Sequence, residues 1–129
     1  MRRLRLDDSG SAAAEFVLVA ALLTVLTVSV LQLGLALHIR NTVIDAAAEG
    51  ARTAALADNG LDDGVARATD LISVALGPRY AESVSAVYGD YLGHPAAIVT
   101  VRAPLPLMGL IGPDGGLEVT GHAAVEILD

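Results

Sequence analysis

The chain has no cysteine, no tryptophan and no lysine. Without cysteine there is no disulfide, no thiol nucleophile and no sulfur-ligated metal. The absence says nothing about compartment, because an extracytoplasmic domain need not use disulfides. Aromatic residues make up 3% of 129 residues, so a soluble core must be thin and aliphatic. All eight basic residues are arginine, set against 15 acids, for a formal net charge of −7. That balance lacks the electrostatic footprint of a nucleic-acid-binding protein. The length allows one domain plus a membrane helix and is too short for two full domains.

Catalytic signatures are also scarce. The serines lack a G-x-S-x-G setting. The glycine-rich stretch Gly112-Pro113-Asp114-Gly115-Gly116 has Pro and Asp where a phosphate-binding loop places Lys. His38, His94 and His122 lack H-x-x-x-H spacing, so a metal site would have to be built by the fold. Asp62-Asp63 reads as a helix start, not a catalytic pair. The expectation is a chain that is not an enzyme and has no cofactor.

Hydrophobic residues reach 53%, and much of the excess lies in one run, Phe16 to Leu37. Its 22 residues span roughly 33 Å as a helix, the hydrocarbon thickness of a bilayer. Thr24, Thr27, Ser29, Gln32 and Gly34 interrupt it, and none is charged. A secretory signal has a shorter apolar core of about 7–15 residues and a small-residue cleavage site, which the Leu-His-Ile-Arg-Asn ending here does not supply. The run therefore reads as a retained helix. Arg2, Arg3 and Arg5 precede it, which favours a cytoplasmic N-terminus and an extracytoplasmic remainder, although Asp7 and Asp8 dilute the leader's net charge.

Glu15 stands at the leading edge of the run. A carboxylate entering the apolar layer costs about 2.5–3.5 kcal/mol on insertion scales, so it calls for a reason. If the chain were cut after Gly10, Ser11 would supply a new α-amino group, protonated below pH about 7.7–8.0. That amine could pair with its own Glu15 or with a neighbouring subunit's, and either pairing reduces the burial cost.

A short charged leader, Gly10, Glu15 as the fifth residue after it, and an unbroken apolar helix resemble the class III signal of prepilins and pseudopilins. Further on, Ile39-Arg40-Asn41-Thr42-Val43 and Ala46-Ala47-Ala48-Glu49-Gly50-Ala51-Arg52 resemble the segment after the membrane helix in TadE-like proteins, minor pilins or pseudopilins of the tight adherence (Tad) family. With Ala14-Glu15-Phe16, the likeness covers about residues 9–57. One departure is Gln32-Leu33-Gly34, where the family usually has an acidic-aromatic or similar pair. The resemblance implies cleavage between Gly10 and Ser11 by a prepilin peptidase, and an assembly role for Glu15. It implies pilin or pseudopilin subunits and the Tad membrane platform as partners. The contrasting reading is an uncleaved single-pass envelope or binding protein, which needs neither Gly10 nor Glu15.

The division expected is a leader over 1–10, a transmembrane helix over 11–38 and an extracytoplasmic α+β domain over 39–129. The helix should continue to Ala57 as a stem, with His38, Asn41, Asp45, Glu49 and Arg52 on one polar face. Ridges of small residues, Ala47, Ala51 and Ala55 beside Ala46, Gly50 and Ala54, allow close helix packing, against this chain's own domain or against neighbouring subunits. Asp58-Asn59-Gly60 should stop the stem, with Asn or Gly left-handed. A second helix is predicted over Leu61 to Leu76, capped by Asp62 or Asp63, with Val65, Thr69, Ile72 and Leu76 on one face. Three antiparallel strands should follow, over residues 83–87, 97–102 and 117–128, with Tyr88 and Tyr91 in a loop between the first two. Leu105 to Ile111 reads as an apolar loop, either a lid on the sheet or a contact surface.

Overall fold

A computed structural model of the protein describes residues 8–105 and 116–127. The leader arginines, most of the apolar loop and the Gly112–Gly115 part of the expected turn lie outside the described residues.

Helix α1 runs unbroken from Asp8 to Ala55. No proline interrupts it, and its alanine and leucine content suits a long helix. Helix α2 spans Leu61–Leu76, and a 3-10 turn follows over Pro78–Ala81. Strands β1 (Ser83–Tyr91), β2 (His94–Ala103) and β3 (Leu117–Ala124) form an antiparallel sheet in the order β1-β2-β3. The architecture is the α+β arrangement expected: a long apolar helix, a short helix and three strands.

The last four turns of α1 and all of α2 lie over one face of the sheet. Ile39, Val43, Ile72, Val99 and Val101 are the largest fully buried side chains, joined by Ala47, Ala51 and Ala68. Such small residues make a thin core, so the elements must come close to exclude water. At three places that closeness demands glycine. A Cβ on Gly50 would lie 2.7 Å from the Gly64 carbonyl oxygen and 2.9 Å from Ala68 Cβ, and a Cβ on Gly64 would lie 2.6 Å from Ala54 Cβ. A Cβ on Gly121 would collide with the α1 backbone at Ala47 and Ala48. The first two pairings show that α2 runs antiparallel to α1.

The end of α1 leaves carbonyls that need donors. The Asn59 side-chain amide donates to Thr53 O at 3.1 Å, and the Asn59 backbone N–H donates to Leu56 O at 3.1 Å. After β3 the chain leaves the sheet, and the Glu126 N–H donates to Ala55 O at 2.9 Å. The left-handed stop expected at Asn59 or Gly60 is not used. Gly60 is extended (φ −135°), and the asparagine side chain does the work. Gly60 also precedes the first residue of α2, and Asp63 accepts its N–H at 2.8 Å, so Asp63 acts from inside the helix and not as the cap residue itself. The buried stripe of α2 is Gly64, Ala68 and Ile72, with Val65, Thr69 and Leu76 only half-buried at its borders.

β1 and β2 are longer than expected and meet in a two-residue turn, Leu92-Gly93, where both φ are positive (52° and 81°). That geometry matches the right-handed twist of paired strands. Tyr88 and Tyr91 are therefore strand residues, not loop residues. β3 ends at Ala124: Val125 still donates to Pro95 O of β2, and Glu126 turns away to donate to the end of α1.

Gly121→Val should drive a branched side chain into the α1 backbone. The expected loss is at least the about 1–3 kcal/mol typical of overpacking, read as a lower Tm by circular dichroism. A Cβ on Gly34 meets nothing within 4 Å, so Gly34→Ala should leave the domain's Tm unchanged.

Candidate functional site

The N-terminal half of α1 is apolar on every side and exposed along its length. Phe16 is 75% exposed, and Leu22, Leu26, Val30 and Leu33 are similarly bare. A helix hydrophobic all round belongs inside a core or a membrane. Among the described residues, α1 is the one helix long and apolar enough to cross a membrane.

Its polar interruptions are fitted to that use. Thr24 Oγ1 donates to Ala20 O at 2.8 Å, Thr27 Oγ1 to Leu23 O at 2.8 Å, and Ser29 Oγ to Val25 O at 2.7 Å. Each hydroxyl is satisfied by the carbonyl four residues back, so it enters an apolar medium without an unpaired donor.

Gly10, Ser11 and Glu15 all lie in the first turns of α1 and are exposed. Ser11 and Glu15 are four residues apart, which puts them on one helix face a single turn apart. Among the described residues no ion pair reaches Glu15. Glycine inside a helix costs about 0.5–1 kcal/mol against alanine. At Gly50, Gly64 and Gly121 the chain's own packing requires it. At Gly10 a Cβ would meet nothing within 4 Å, so this chain's packing gives no reason for a glycine there.

The small-residue ridges are covered from within the chain. Ala47 and Ala51 share the main core, Ala54 and Ala55 pack with Ala97, and Gly50 faces Gly64 and Ala68. The polar face of α1 is in solvent. Glu49 accepts from Arg52 Nη1 at 3.3 Å and meets Arg67 Nη2 of α2 at 3.9 Å. These exposed pairs contribute about 0–1 kcal/mol each. They edge a shallow groove of about 420 Å³ between the helices, lined by Thr42, Asp45, Leu71 and Ala75 among others.

The three histidines stand apart in the fold. His38 lies at the end of the apolar run and His94 starts β2. His122 of β3 stacks on Tyr91 of β1, with ring centroids 4.2 Å apart and planes 15° from parallel. Among the described residues no group of three or more His, Cys, Asp or Glu is placed to hold a metal. Arg67, Gly64, Gly121 and the Tyr91–His122 stack had no signal in the linear sequence, because each partner is supplied by another element.

The family model described as TadE-like protein matches residues 10–52, from Gly10 to the buried half of α1. No curated protein and no solved structure matches the chain.

If Glu15 sits at membrane depth, Glu15→Ala should favour insertion of α1 by up to about 2.5–3.5 kcal/mol. The fraction of chain inserted in a glycosylation-mapping assay should rise. An unchanged fraction would place Glu15 outside the apolar layer.

Proposed function

From a chain whose residues 10–52 carry a TadE-like domain, we propose a minor pilin or pseudopilin of a Tad-type pilus or secretion apparatus, with no catalytic role of its own. α1 anchors it in the cytoplasmic membrane with the leader inside and the α+β domain outside, and the subunit waits there before joining a filament. The observation that carries the reading is the placement of Gly10, Ser11 and Glu15 at the head of an exposed apolar helix that continues without a break into the family-matched segment.

The chain is the substrate in the step that matters. A prepilin peptidase hydrolyses the Gly10–Ser11 amide, leaving a carboxylate on Gly10 and an amine on Ser11. A glycine with open space around its Cα lets the peptidase approach the backbone closely. The new amine is protonated at neutral pH and lies one turn from Glu15, so it neutralises that carboxylate or the equivalent one on an adjacent subunit. Charge pairing at one depth then sets the stagger between neighbouring helices.

Co-expression with the peptidase followed by N-terminal sequencing should return Ser11 as the first residue. Recovery of Met1, or of an N-terminus beyond Leu37, would refute the assignment, and Met1 with a membrane-bound chain would indicate the uncleaved anchor. Gly10→Leu should abolish processing. Glu15→Ala should be cut normally yet fail to enter filaments, read by shearing and immunoblot; normal assembly would remove the pairing role.

A further inference from the structure

The domain stands directly on the end of the apolar run, with no stalk between them. Gly64 packs at the level of Gly50 and Ala54, and α2 then descends antiparallel to α1. Leu76, twelve residues after Gly64, lies about 18 Å lower, level with Arg40. Ile39 is already buried in the domain core, and Ala36 and Gln32 are half-buried one and two turns lower. The turn Pro78–Ala81 follows Leu76 and leads into β1 at Ser83, so it lies at the lower end of the domain, the floor, beside the Arg102–Glu118 pair.

The charges sort along this axis. Five arginines follow the apolar run. Arg52 and Arg67 are held by Glu49, and Arg102 is held by Glu118 at 2.6 Å. Among the described residues the two in no ion pair are Arg40 and Arg79, both exposed and both toward the floor, where the exposed acids are Glu82 and Glu118, the latter already paired with Arg102. The opposite end carries Asp58, Asp62, Asp63, Asp90 and Glu126, all exposed, and its one nearby arginine among the described residues, Arg52, is paired with Glu49.

We propose that the floor is a lipid-contact surface on which Arg40 and Arg79 bind the phosphates of anionic phospholipids, fixing the domain against the membrane with its acidic end outward. Exposed arginines at headgroup depth gain Coulomb energy and hydrogen bonds from phosphate, and the acidic end is repelled by the same surface. The proposal rests on α1 being the membrane anchor.

The test uses the full chain in vesicles, in a background free of cysteine. Leu26→Cys, Ser83→Cys and Ala57→Cys carry a fluorophore in the run, beside the floor and at the far end, and quenching by nitroxide-bearing lipids reports depth. With phosphatidylglycerol present, the Leu26 and Ser83 positions should be quenched and the Ala57 position should not. Phosphatidylcholine alone, or the pair Arg40→Gln and Arg79→Gln, should lower the docked-to-undocked ratio at Ser83 by up to about 25-fold, at about fivefold per arginine. Quenching at Leu26 with Ser83 as bare as Ala57 overturns the floor contact and leaves the anchor standing. Quenching at Ser83 that ignores both lipid charge and the arginines overturns the phosphate-binding role. Loss of quenching at Leu26 overturns the anchor reading, and the floor contact with it.

Discussion

A helix passes from lipid into a protein core without a break only if its backbone never needs a partner outside itself. α1, 48 residues long, meets that condition until its last turn, where Thr53 O and Ala55 O take donors from Asn59 and Glu126. In its first half the side chains face outward in every direction, and the hydroxyls of Thr24, Thr27 and Ser29 fold back on the helix carbonyls. From Ile39 onward one stripe is buried by α2 and the sheet, and the other side is polar. The change of environment is made by side chains alone, at His38–Ile39, while the hydrogen-bond ladder continues. Everything else in the fold is arranged around the second half of that ladder.

The arrangement is tight because the available side chains are small. With alanine at Ala46, Ala47, Ala51 and Ala54, burial is gained by bringing backbones together, not by filling space with large groups. Gly50 against Gly64 and Gly121 against Ala47 are the points of closest approach, and they fix both α2 and β3 on α1. The far end is fastened separately. Asn59 and Glu126 supply donors to the last carbonyls of α1, so the end of the sheet and the α1–α2 turn are tied to one place. A domain with so few aromatic residues is held as much by these backbone contacts as by its core.

The linear sequence was legible where one residue's neighbours decide its structure. The apolar run, the helical continuation to the Asp58-Asn59-Gly60 stop, the limits of α2 and the alternation of β3 through Ala123 all follow from local pattern. It failed where the deciding partner lies elsewhere. Between the expected strands Gly93 does mark the turn, but Gly89 sits in β1 beneath Ile98, and Pro95 accepts from Val125 as part of β2. The turn itself uses Leu92 at positive φ, a residue no turn rule selects. The last strand is cut short by a carbonyl at the end of α1, more than sixty positions earlier in the chain. In the candidate site, Gly10, Ser11 and Glu15 were legible because their spacing is local. The pairing of Arg67 with Glu49 was not, nor the isolation of Arg40 and Arg79, since both depend on how α2 lies along α1.

The central claim is that one rigid helix joins the membrane to the domain. Spin labels on Leu23→Cys and Asp45→Cys, both exposed positions, report on it directly when the full chain is in vesicles. Pulsed electron–electron distance measurement should give a single narrow peak near about 33 Å, the length of 22 helical residues. A broad distribution, or a peak well short of that distance, would mean that the helix breaks at the membrane edge, and would contradict the account.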